Sequence, residues 1–128
     1  MYIEDYFKQV EEAINACPLA SVSNFEVEKR DTYEGLIRAE VNFVGGSILQ
    51  VREFVSVEIG IIRDMYSYQY MTSQNTLIFR YDNTPHHQKL NLTTFPDHKH
   101  DGQEKNVIAS NAPMLWDVLS EIQLHTSL

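Results

Sequence analysis

Between Arg80 and His100 the chain reads Arg80-Tyr81-Asp82-Asn83-Thr84-Pro85-His86-His87 and then, after a short spacer, Phe95-Pro96-Asp97-His98-Lys99-His100. Four of the five histidines lie here, beside three cations (Arg80, Lys89 and Lys99) and two aspartates. Three chemistries fit these residue types. The first is general acid–base cleavage of RNA. It needs a base for the 2′-hydroxyl, an acid for the departing 5′-oxygen and positive charge for the phosphate. Imidazole titrates near neutrality and can act as base or acid. Arg80 offers fixed charge and paired donors to phosphate, and Lys99 a second cation. Asp82 or Asp97 could orient a ring. The second is a metal site. His98 and His100 are two positions apart and face the same way on extended backbone. Joined by His86 or His87 and an aspartate, they could hold zinc, manganese or another divalent ion. There is no Cys pair or helical HExxH, so this spacing is weakly specific. The third is a polar loop of a non-catalytic interaction module, with Arg80 and Asp82 forming a surface ion pair of small value. Residue types alone leave the three open.

These residues need a scaffold, and the periodicity supplies one. Ile3, Tyr6, Phe7, Val10, Ile14 and Cys17 recur at three- and four-residue spacing, which predicts an amphipathic helix ending before Pro18. Period two then takes over. Phe25 and Val27 mark a first strand over roughly 20–30. Ile37, Ala39, Val41 and Phe43 mark a second, followed by a Gly45-Gly46 hairpin. Leu49 to Ile61 predicts a long third strand bent at Gly60. Tyr66 to Met71 and Leu77 to Asp82 predict the fourth and fifth. The three tyrosines 66, 68 and 70 read as core, with stacking on unpaired bases as the rival role. The acids Glu26, Glu28, Asp31 and Glu34 read as a solvated edge, or a surface for a basic partner.

Residues 83–106 lose periodicity and read as a long functional loop. Ser110-Asn111 would cap a last helix carrying Leu115, Val118, Leu119 and Ile122, with a frayed tail after Leu124. The expected class is α+β: an N-terminal helix, a five-stranded antiparallel meander, a long His-rich loop and a C-terminal helix.

The chain of 128 residues predicts one domain, 1–128, with a core that needs no disulfide. Cys17 is its single cysteine and reads as a buried small hydrophobe. The acidic start and the lack of a long apolar run predict a cytoplasmic protein without a membrane span. The formal net charge of -8 gives no long-range attraction to nucleic acid. The acids concentrate before residue 80, however, and the histidine segment is the least negative stretch.

The run Leu77-Ile78-Phe79-Arg80-Tyr81-Asp82-Asn83-Thr84-Pro85-His86-His87, preceded by Tyr68 to Tyr70 and followed by Thr94-Phe95-Pro96-Asp97-His98-Lys99-His100, resembles the TumE family of toxins from toxin–antitoxin pairs. The family pattern is F-R-Y-D-N-x-P-H-H, a spacer, then F-P-x-H-K-H. The spacer at Lys89–Thr93 is slightly long. The likeness implies a cognate antitoxin, often with its own DNA-binding module. The helix-then-meander order is also similar to RelE-like and ParE-like toxins, many of which cleave RNA. That analogy implies a metal-independent endoribonuclease. His86, His87, His98 and His100 would then be candidate bases and acids, with Arg80 and Lys99 on the phosphate and Asp82 orienting a histidine. An acidic chain of this kind suits ribosome-bound or otherwise restricted RNA.

Overall fold

Residues 1–126 are described by a computed structural model. Its first element is the expected helix, α1 (Ile3–Asn15). Ile3, Tyr6, Phe7, Val10 and Ile14 form the buried stripe. Full burial of an aliphatic or aromatic side chain contributes about 1.5–3 kcal/mol relative to exposure. The Asp5 carboxylate accepts a hydrogen bond from the backbone N–H of Tyr2 at 2.8 Å, which satisfies a free donor at the helix start. Cys17 is buried just beyond the helix, as expected.

Period-two patterning gives β1 (Ala20–Lys29), β2 (Glu34–Phe43), β3 (Ile48–Ser56), β4 (Ile62–Met71) and β5 (Leu77–Asp82). Two further strands follow, β6 (His98–Asp101) and β7 (Val107–Ala109). The sheet therefore has seven antiparallel strands in sequence order, where the apolar pattern predicted five. The expected loop over 83–106 is in fact a 3₁₀ turn (Pro85–Leu90), a connection and β6. Sequence periodicity missed β6 because its alternating residues are His98, Lys99 and His100, which carry no apolar signal. The predicted long third strand is also two pieces. Pairing of β3 stops at Ser56, and Gly60, with φ of 124°, turns the chain into β4.

One face of the sheet is covered by α1 and by α2 (Leu115–Thr126). Tyr66, Tyr68 and Tyr70 lie in this core, so their rings are not a base-stacking platform. Phe7 of α1 packs so tightly on β2 that a Cβ at Gly35 would meet its ring at 2.5 Å. Ser110 and Asn111 do not cap α2. Ala112 takes a left-handed turn with φ of 54°, and the helix begins only at Leu115. Asp117 supplies the cap, accepting from the Met114 N–H at 3.0 Å. The helix runs through Thr126, past the expected fraying point, and residues 127 and 128 lie outside the described residues. No described helix is long and apolar enough to cross a membrane.

The other face carries two polar ladders across successive strands. One runs Glu26, Arg38, Arg52, Ser67, Asp82, His98. The other runs Asn24, Glu40, Gln50, Gln69, Arg80, His100. Both end in the histidine segment.

Candidate functional site

Pairing of β5 with β6 sets Arg80 opposite His100 and Asp82 opposite His98. Because alternate residues share a face, all four side chains stand together on the side away from the helices. The 3₁₀ turn then folds back and lays His87 over them. The rings of His87, His98 and His100 pack edge to face, with centroids 4.8, 5.4 and 4.9 Å apart. One nitrogen from each lies within 4.8 Å of the others. His98 and His100 are 1% and 2% exposed, whereas His87 is half-buried and opens onto a groove lined by His86, Lys89, Glu104 and Lys105.

Backbone carbonyls fix how the buried rings are used. His98 Nδ1 lies 2.9 Å from the Pro96 carbonyl, and His100 Nδ1 lies 2.7 Å from the Glu104 carbonyl. A carbonyl only accepts, so each Nδ1 carries a hydrogen and donates. That turns both Nε2 atoms inward, 3.1 Å apart. His98 Nε2 is also 2.8 Å from Asp82 Oδ1. Lone pairs facing one another and a carboxylate repel. Positive charge at this point relieves that repulsion, and the Arg80 guanidinium, 3.1 Å from His100 Nε2, supplies part of it.

The charged partners are heavily engaged. Arg80 donates from Nε to Asp82 Oδ2 at 2.9 Å, to Gln69 Oε1 at 3.0 Å and to both Glu104 oxygens. It also reaches His100 Nε2 at 3.1 Å. Partial burial works against its charge, but Glu104 and Asp82 raise its pKa on balance. Asp82 accepts from the Thr84 N–H at 3.0 Å and the Thr84 hydroxyl at 2.9 Å. Burial pushes its carboxyl up, yet the Arg80 and Thr84 hydrogen bonds and the nearby His98 hold it below the usual value. At His87 partial desolvation and then the charges of His98 and His100 push the imidazole below the ordinary histidine range.

The structure thus gathers His87, His98, His100, Arg80 and Asp82. It does not gather the other two candidates. His86 is exposed on the groove wall, outside the ring cluster. Lys99 points to the helix side, its ammonium 5.0 Å from the Tyr81 ring and 3.7 Å from the Glu121 carboxylate of α2. Asp97, considered as a ring orienter, instead accepts from the Tyr66 hydroxyl at 2.6 Å. Glu104, Gln69 and Thr84 belong to the site and were not singled out by sequence. Glu104 had one weak signal, its place four residues beyond His100.

The model of the toxin family TumE matches residues 10–125. The chain belongs to the TumE family. No curated protein and no solved structure matches it. Membership makes the chain a toxin component and points to an antitoxin partner. In this TumE-family chain both halves of the motif meet in space: Arg80, Asp82 and His87 come from the first half, His98 and His100 from the second.

Proposed function

We propose that this toxin cleaves RNA and that the histidine pocket is its active centre. The observation that carries the reading is the convergence of three imidazoles, two of them against the Asp82 carboxylate and its guanidinium partner, on the sheet face that no helix covers. Strand cleavage needs proton transfer at two oxygens and positive charge beside the phosphate, and these groups supply both. His87 is the ring that substrate can touch. His98 and His100 lie behind it and act through it or through what they jointly hold. Arg80 is a positioning residue, since Asp82, Gln69 and Glu104 already take its donors.

The approach to the pocket supports a polyanion. Lys89 and Lys105 stand at the groove beside His87. Arg38 and Arg52 face each other across β2 and β3, an arrangement that destabilises a sheet on its own. Among the described residues, neither is in an ion pair. They lie in the ladder that leads through Ser67 to Asp82 and His98, a track along which a phosphate backbone could run.

The test is cleavage of RNA by the purified full chain, with ribosomes and with free RNA as substrates. His87→Ala should lower the rate by about 10²-fold or more, with the fold retained because this side chain is half-buried on a surface turn. Growth arrest in cells should fall in parallel. Undiminished cleavage and arrest in a folded His87→Ala variant would sink the reading.

A further inference from the structure

We infer that His87, His98 and His100, together with the Asp82 carboxylate, form a binding site for one divalent transition-metal ion of the zinc class. The inference stands on geometry and does not need the nuclease reading.

Both buried rings are arranged as metal ligands usually are. Each spends its Nδ1 hydrogen on a backbone carbonyl, Pro96 for His98 and Glu104 for His100. That is the support which fixes a ligating ring and leaves its other nitrogen free to coordinate. The two Nε2 atoms are 3.1 Å apart. Tetrahedral coordination with bonds of about 2.0–2.1 Å sets neighbouring ligand atoms about 3.3 Å apart. The Asp82 carboxylate stands beside both rings, Oδ1 2.8 Å from His98 Nε2 and Oδ2 3.5 Å from His100 Nε2, and is available as a third donor. His87 completes the set. Its nitrogen lies within 4.8 Å of the other two, so the ring must close by up to about 1.5 Å to bind. It can do so because the 3₁₀ turn that carries it buries no side chain.

A cation also relieves the repulsion among the facing lone pairs. The Arg80 guanidinium, now 3.1 Å from His100 Nε2, would have to give way to it. If the ion displaces the guanidinium from His100 Nε2, Arg80 keeps Asp82, Gln69 and Glu104 as acceptors. Three imidazoles and one carboxylate favour zinc and its first-row neighbours over magnesium, which prefers oxygen ligands and retains its water.

The experiment uses the full chain with its affinity tag removed, treated with chelator and dialysed. Zinc, manganese and magnesium are titrated separately, with elemental analysis of the zinc-loaded protein and melting curves of every state. The expected result is one zinc per chain, a rise in melting temperature on loading, weaker manganese binding and no response to magnesium. His87→Ala should weaken zinc binding at least about tenfold while the metal-free melting temperature stays put. His86→Ala should bind zinc like the parent. His98→Ala could fail to fold, so the His87 variant decides. Lack of stoichiometric zinc, or equal affinity in His87→Ala, overturns the site. If zinc is absent and RNA cleavage persists, the metal is wrong and the nuclease stands. If zinc binds through His87 and RNA is untouched, the metal stands and the nuclease is wrong.

Discussion

Glu53 and Asp82 are both buried carboxylates on neighbouring parts of one sheet, and they are built for opposite ends. Glu53 lies under α1 on the helix-covered face and is fully buried. It accepts from the Tyr6 hydroxyl at 2.5 Å and from the Tyr68 hydroxyl at 2.6 Å. Desolvation pushes its carboxyl up, and the two phenols and Arg63 do not offset it. Asp82, on the open face, is held low because a direct guanidinium, a backbone N–H and a hydroxyl outweigh burial. The difference lies in what is left over. Around Glu53 the donors and acceptors match, and no route from solvent is needed. Around Asp82, Nε2 atoms of neighbouring imidazoles crowd one point, and His87 connects that point to a groove. A buried charge alone does not mark a site. Surplus lone pairs beside an entrance do.

The largest effect should come from removing Asp82. Asp82→Ala leaves the Arg80 Nε–H, the Thr84 N–H and the Thr84 hydroxyl without their acceptor in a nearly closed setting, although Arg80 keeps Gln69 and Glu104. Breaking a buried ion pair from one side costs about 3–5 kcal/mol. Urea unfolding should show that loss, and toxicity should vanish with it. Glu53→Gln should cost less, about 0.5–1.5 kcal/mol, because the amide still accepts from Tyr6 and loses one hydrogen bond at Tyr68. Equal losses in the two variants would break the contrast between the clusters.

The Glu53 substitution also carries a pH signature. Its folded pKa is raised above the ordinary value of 4.5, so the folded state holds this proton more tightly than the unfolded state does. Its contribution to stability is complete below 4.5 and is lost as pH rises through the folded pKa. The gap between parent and Glu53→Gln should therefore be widest in mild acid and shrink as pH increases. Unfolding free energies measured across that range check this. A gap that widens with pH would place Glu53 in the class of Asp82.

The covered half of the molecule was legible in the sequence because apolar spacing encodes it. Ile3 to Ile14, Ala39 to Phe43 and Leu77 to Tyr81 each announced their element and their buried face. The site half was not, because its order comes from polar pairing. The alternation His98-Lys99-His100 opposite Arg80-Tyr81-Asp82 is a strand pair whose buried residues are mostly polar, and hydropathy does not register it. The motif did bring the right stretches to notice. It could not say which members share a face, nor that the Pro96 and Glu104 carbonyls would aim two rings inward, since that depends on how the chain between the halves folds.

Lys99 gives the smallest and most discriminating prediction. It sits between two pocket histidines in the chain, yet its ammonium lies 5.3 Å from the Phe79 ring and 5.0 Å from that of Tyr81, on the α2 side. Lys99→Ala should cost about 1 kcal/mol, from a largely buried cation–π contact and a weak ion pair at 3.7 Å. RNA cleavage and growth arrest should stay at the parent level, measured beside His87→Ala, which should lose both. Neighbours on a strand project to opposite faces, so His98, Lys99 and His100 do not all serve one pocket. If Lys99→Ala lost activity without losing stability, substrate would have to wrap the β6–β7 edge and reach both faces. The open face would then no longer be the whole of the working surface.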